Sequence, residues 1–391
     1  MLDFSRHFAP LRQEILDAIA RVCDSQSFIL GPHVAAFETA AAAACDASFA
    51  IGCASGTDAL WLALAAAGIG DSASSTRTGA APGAVITTPF SFFASASAIL
   101  RAGARPIFAD IDPRTFNLSP DSVAELLLSP TGRNVKAVLP VHLYGQCADW
   151  DAFAAIAHVR PGLLLLEDAA QAFGADWTSP GQPARRAGSL GAAAAFSFYP
   201  TKNLAAMGDA GLVTTSDPRL AAHARSLRAH GMTRRYYHDE VGWNSRLDAI
   251  QAAILDVKLR YLPMWNQQRR DRAARYDELF RAAGLTAASA NDGIVLPFTD
   301  PRATHVFHQY VVRAPRRDAL RDHLTARGIG SEIYYPVPLH LQAAFKDLGY
   351  QPGDLPHAER AAAEVLALPI YPELRDDEQQ AVVEAIRAFY A

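Results

Sequence analysis

Residues 163 to 175 read LLLLEDAAQAFGA: four leucines in a row, two carboxylates, then a run of small residues. So short an apolar run, without polar alternation, reads as a strand buried on both faces, and such strands belong to parallel sheets covered by helices. Glu167 and Asp168 close the run, at the end where open α/β sheets place their ligands. A strand-end acid taken alone is more often a helix cap or a surface charge, so the meaning of Asp168 depends on what else the chain brings to that edge.

Runs of the same kind recur between Ala50 and about Thr215: FAIGCA, AVITTP, RPIFADI and VKAVLPVHL before it, AAAFSF and GLVTTS after it, with Ala/Leu-rich helical stretches between. The alternation predicts crossover units on a mostly parallel sheet, a large α/β domain over residues 1–245. Leu247 to Phe280 predicts long helix broken near Pro263, leading into a smaller α+β domain within 246–391. There HVFHQYVVR and SEIYYPV read as strands, and DALRDHLTARG and DEQQAVVEAIRAF as helices. The Ser/Thr/Gly/Ala-rich stretch from Asp71 to Gly83 reads as a surface loop.

The whole-chain figures exclude several classes of function. With 391 residues, half of them hydrophobic and 19% charged, the chain can bury a large core and disorder is not expected. A formal charge of −4 without a basic block points away from nucleic acid. Cys23, Cys45, Cys53 and Cys147 lack CxxC spacing, so neither a metal site nor a disulfide framework is expected, and a reduced cytoplasmic chain fits. No basic-then-apolar leader and no run of about 18 apolar residues is seen, so neither export nor membrane spanning is expected.

Three further segments carry chemistry. In IGCASGTDALWLALAAAG a strand leads through Ser55, Gly56, Thr57 and Asp58 into a helix, whose first N–H groups and dipole suit a phosphate, although Ser and Thr also cap helices that bind nothing. In AAAAFSFYPTKNLAAMGDAG a strand reaches Ser197 and, past a turn, Lys202; a lysine there is a solvated charge unless burial frees its amine to form imines. In TTPFSFFASASAIL, Phe90, Phe92 and Phe93 open a helix and are core residues unless one stacks on a flat heterocycle. A phosphate cradle, a stacking ring, a strand-end acid and an amine together meet the needs of pyridoxal 5'-phosphate (PLP), which requires a lysine for its aldehyde and an acid to keep its pyridine nitrogen protonated.

These segments, with FILGPHVAAFE, PVHLYGQCADWD, NSRLDAIQAAIL and YYPVPLHLQ, resemble the DegT/DnrJ/EryC1/StrS family of sugar aminotransferases over nearly the whole chain. The resemblance implies the fold type I, aspartate-aminotransferase-like architecture of PLP-dependent transferases. It implies that Lys202 carries PLP as a Schiff base (internal aldimine) and moves the proton, and that Asp168 pairs with the pyridine nitrogen. Gln171 would contact the ring hydroxyl, Phe92 would stack on the ring, and Gly56, Thr57 and Ser197 would hold the phosphate. Asn244 would reach the phosphate of a neighbouring subunit, so a homodimer with shared sites is implied. Arg246, Tyr334, Tyr335 and His340 fall where relatives meet the sugar nucleotide, with a structural role for His340 left open.

The implied reaction is ping-pong transfer of an amino group from L-glutamate, through pyridoxamine 5'-phosphate, to a keto group of a nucleotide-linked hexose, as in amino-sugar biosynthesis for polysaccharides or glycosides. NSRLD and YYPVPLHLQ are most similar to members that aminate C3, which favours a 3-keto over a 4-keto sugar. A cyclitol ketone, or a PLP-binding sensor or regulator without turnover, stands as the alternative. Members that are dehydratases have histidine in place of the lysine, and Lys202 argues against that chemistry.

Overall fold

A computed structural model describes residues 2–70 and 83–391; the loop expected from Asp71 lies, as far as Pro82, outside the described residues. All seven runs expected between Ala50 and Thr215 are strands of one sheet: β1 (Phe49–Cys53), β2 (Ala84–Thr87), β3 (Arg105–Phe108), β4 (Val135–Leu139), β5 (Leu164–Asp168), β6 (Ala193–Ser197) and β7 (Gly211–Thr215). Their order is β1-β7-β6-β5-β4-β2-β3, and only β7 runs antiparallel to its neighbours. The carboxyl ends of the six parallel strands therefore share one edge of the sheet. The loops after β1, β2, β5 and β6, which hold the chemistry-bearing segments, all leave from that edge.

Side chains alternate across the sheet and are buried on both faces. Ala50, Ala194, Phe196 and Leu212 pack under α1 (Arg12–Ser25), α2 (Pro32–Ala44) and α6 (Ala249–Leu259). Ile51, Val85, Leu166, Ala195 and Val213 pack under α3 (Gly56–Ala66), α4 (Ala94–Arg101) and α5 (Pro218–Leu227). Burial on both faces is why the strands lack a polar stripe.

The long helix breaks at Arg260 and Tyr261, and α7 (Leu262–Ala282) begins with Pro263 in its first turn, where a missing N–H costs nothing. α7 packs through Tyr276 and Phe280 on a C-terminal layer. That layer consists of β8 (Tyr310–Arg313) paired antiparallel with β9 (Val365–Leu368), with α8 (Arg317–Ala326), α9 (Pro356–Glu364) and α10 (Asp376–Tyr390). Two expected strands come out differently. HVFHQYVVR is extended only from Tyr310, because Phe307 has a positive φ of 42° and interrupts the run. SEIYYPV pairs only through Glu332 with Ala367; the Tyr334 carbonyl is taken by the Tyr144 hydroxyl, and Pro336 has no N–H to offer a ladder. Among the described residues, no helix is long and apolar enough to cross a membrane, and no cluster of His, Cys, Asp or Glu could hold a metal.

Candidate active site at the carboxyl edge of the sheet

The two acids that end β5 point to opposite faces, as a period of two requires. Glu167 is structural. It accepts backbone N–H groups from Gly188, Leu190 and Gly191 at 2.8–2.9 Å and pairs with buried His142 at 3.0 Å, so its charge is fully used in fixing the following loop. Asp168 shares the face of Leu166 and meets α4: Ser95 Oγ donates to its Oδ2 at 2.7 Å, and the Ala170 N–H donates to Oδ1 at 3.2 Å. Burial pushes the Asp168 carboxyl above its ordinary range. The Ser95 and Ala170 hydrogen bonds, then the charges of Lys202 and His142, oppose the shift.

Lys202 stands in the turn after β6, its own N–H bonded to the Tyr199 carbonyl at 2.8 Å. Burial brings its amine down to about 8, with Asp168 pulling the other way, so a usable fraction is unprotonated near neutral pH. The turn is anchored by the next residue. Asn203 donates to Asn266 Oδ1 and to the Val306 carbonyl, both at 2.9 Å, and faces His308 at 3.3 Å. Burial first, and then the charge of Lys202, hold the His308 imidazole well below its ordinary value, so it is neutral.

Around this acid and amine lie the other predicted residues. Gln171 receives the Tyr144 N–H at 2.6 Å and donates to the Tyr335 hydroxyl at 3.2 Å. The exposed Phe92 ring lies 6.4 Å from the Tyr335 ring, whereas Phe90 is core. On the same face, Ser197 touches the start of α3. A Cβ on Gly56 would come within 2.5 Å of Ser197 Cβ, so only glycine lets the helix start approach the end of β6 this closely. Ser55 caps α3 by accepting the Asp58 N–H at 3.1 Å, which leaves the N–H groups of Gly56 and Thr57 without intrahelical acceptors, as at any helix start. An acid, an amide and an amine at one end and a glycine-hydroxyl helix start at the other fit the ring and the phosphate of PLP.

Not every predicted residue joins this group. Asn244 is exposed and shares a separate cleft with Arg246, Ile29, Ala54, Asp209 and Gln251. Ser245 holds that segment to the α3 start through Asp58, at 2.9 Å. His340 is buried against Glu359 at 3.1 Å and packs edge-on to Tyr350. Its turn meets the segment that enters α4 through the Leu339 N–H, which donates to the Pro89 carbonyl. Ser91, Ser95, Asn203 and His308 were not foreseen; their positions depend on contacts between segments far apart in the chain.

The profile of the DegT/DnrJ/EryC1/StrS aminotransferase family matches residues 10–387. The chain is 48% identical, over 100% of its length and 98% of the relative, to a pleiotropic regulatory protein of Geobacillus stearothermophilus. It is 41% identical, over 99% of its length and 96% of the relative, to a UDP-N-acetyl-3-dehydro-alpha-D-glucosamine 3-aminotransferase of Acidithiobacillus ferrooxidans. The crystal structure of S. venezuelae DesV in complex with a ketimine intermediate superposes with a TM-score of 0.89 at 42% identity, covering 99% of this chain and 97% of that one.

Proposed function

The chain belongs to the DegT/DnrJ/EryC1/StrS family of PLP-dependent aminotransferases, and from that premise we propose that it moves an amino group from L-glutamate to the C3 keto group of a nucleotide-linked hexose. The observation that carries the reading is the meeting, at one sheet edge, of buried Asp168 and a lysine amine brought to about 8. The choice of C3 is supported by the UDP-3-dehydro-sugar aminotransferase, similar over nearly its whole length.

Bound PLP supplies an aldehyde that condenses with amines and an electron-poor ring that accepts the electrons left when a carbon loses its proton. The chain's residues do the rest. Lys202 would hold the aldehyde at rest and, once displaced, its Nζ would carry the proton from the donor Cα to the former aldehyde carbon and, in the second half-reaction, from that carbon to the sugar carbon. Asp168 keeps the ring nitrogen protonated, Gln171 meets the ring hydroxyl, Phe92 covers the ring, and Gly56, Thr57 and Ser197 hold the phosphate. Arg246, Tyr334 and Tyr335 meet the sugar nucleotide. His340 packs on Glu359 and supports the turn that follows Tyr335.

Purified protein given L-glutamate with UDP- and dTDP-linked 3-keto and 4-keto hexoses, and in a parallel reaction with a cyclitol ketone, should yield 2-oxoglutarate and one amino sugar, identified by mass spectrometry as the 3-amino product. A 4-amino product, or turnover only of a cyclitol ketone, would overturn the substrate. The similarity to a pleiotropic regulatory protein keeps a regulatory reading in view. PLP binding without turnover of any ketone would favour it.

We further propose a cytoplasmic homodimer, in keeping with four free cysteines and with exposed Asn244 lying outside the Lys202 cluster, where it can serve a partner's phosphate. Lys202→Ala and Asn244→Ala proteins should each be inactive. In a mixed dimer one site collects both defects and the other has neither, so random exchange should restore about a quarter of wild-type activity. Verified exchange without recovery would exclude a shared site.

A further inference from the structure

Ser91 and Ser95 stand four residues apart where the chain leaves β2 and enters α4, and both are buried, at 4% and 1% exposure. Ser95 Oγ lies 2.7 Å from Asp168 Oδ2, and Ser91 Oγ lies 2.8 Å from Ser95 Oγ. An ionised carboxylate can only accept, so the Ser95 hydrogen points at Asp168, and the Ser91 hydroxyl must then donate to Ser95. The two hydroxyls form a one-way chain ending on the acid. Such chains polarise each bond toward the anion, and a hydrogen bond to a charged acceptor is stronger than one to a neutral group.

The environment of Asp168 makes the chain consequential. Burial favours its neutral form, and the Ser95 hydrogen bond is the largest opposing contribution, ahead of Ala170, Lys202 and His142. A neutral hydroxyl also has an advantage over a guanidinium in this place. An arginine would stabilise the carboxylate but compete with a protonated ring nitrogen for it, whereas a hydroxyl stabilises the charge and leaves it available.

We propose that Ser91 and Ser95 form a hydroxyl relay that keeps Asp168 ionised and aimed, which makes Ser95 a positioning residue for the protonation state of the cofactor ring. The proposal rests on the reading of Asp168 as the partner of the ring nitrogen. The full-length protein, loaded with PLP carrying 15N at the pyridine nitrogen, tests both by NMR. Asp168→Asn should move the resonance toward the unprotonated position. Ser95→Ala should move it the same way by a smaller amount, Ser91→Ala less again, and Ser95→Thr, which keeps the hydroxyl, should stay near wild type. Removing a hydrogen bond to a charged group should also slow the glutamate half-reaction of Ser95→Ala by about tenfold. A displaced Asp168→Asn resonance with Ser95→Ala at the wild-type position, at equal loading, would overturn the relay. So would a Ser95→Thr shift as large as that of Ser95→Ala, because the hydroxyl would then not be what matters. An unmoved Asp168→Asn resonance would instead remove the ring-nitrogen assignment on which the relay rests.

Discussion

Lys202→Ala should lose turnover by about 10⁴-fold or more, because one side chain is assigned two duties, covalent attachment and proton transfer, and the second alone contributes up to roughly that factor. The yellow colour of the holoenzyme and its bleaching by glutamate should report on the same residue, and borohydride should fix the cofactor to the peptide containing Lys202. A label on Lys258, which burial also brings to about 8, would transfer the assignment. That outcome is disfavoured by geometry, since Lys258 Nζ donates to the Ala205 carbonyl at 2.7 Å. A pH signature follows from the lowered value. In cofactor-free protein the Lys202 amine should gain reactivity toward PLP as pH rises through about 8 and then level off. An unperturbed lysine would still be rising near 10, and at pH 7.5 it would offer only about a thousandth of itself as free amine. The penalty on the charged amine also makes stability rise with pH above about 8, toward the unfolded lysine value near 10.4, because the unfolded chain holds more protons over that window.

Much of this site is legible in the sequence because its parts sit next to local structure that announces itself. Asp168 ends an unbroken run of leucines, Gly56 and Thr57 lie between a strand and a strongly apolar helix, and Lys202 follows a small-residue strand by one turn. Each signal is weak alone, and parallel strand order brings them to one edge. What could not be read depends on pairing between distant segments. Ser95 looks like any serine in an Ala/Ser helix until β5 is placed beside β4, one strand away from the β2 that leads into α4. His308 lies in a run that reads as strand, and only the fold sets it against Asn203. β9 was missed for a local reason: α9 ends at Glu364 and the strand begins at Val365, with no Gly or Pro to mark the change.

Asp168→Asn should slow the glutamate half-reaction by roughly 10²–10³-fold while leaving the protein folded and able to bind PLP. Asparagine has nearly the size of aspartate and can still accept the Ser95 hydroxyl, so the local packing survives. What it loses is the negative charge that holds the ring nitrogen protonated, and with it the ring's capacity to accept electrons as Lys202 removes the Cα proton. A loss of about 3–4 kcal/mol in the transition state corresponds to that rate factor. Stability should move little or even rise, because the buried carboxylate is held in its charged form against the cost of burial, and a neutral amide does not carry that cost. Were Asp168 only a fastening for the end of β5 through Ala170, the substitution would cost about 1 kcal/mol of stability and leave the rate near normal. Single-turnover kinetics of the glutamate half-reaction, with thermal unfolding on the same samples, separates the two. A near-normal rate in folded, PLP-loaded Asp168→Asn protein would take Asp168 out of the chemistry.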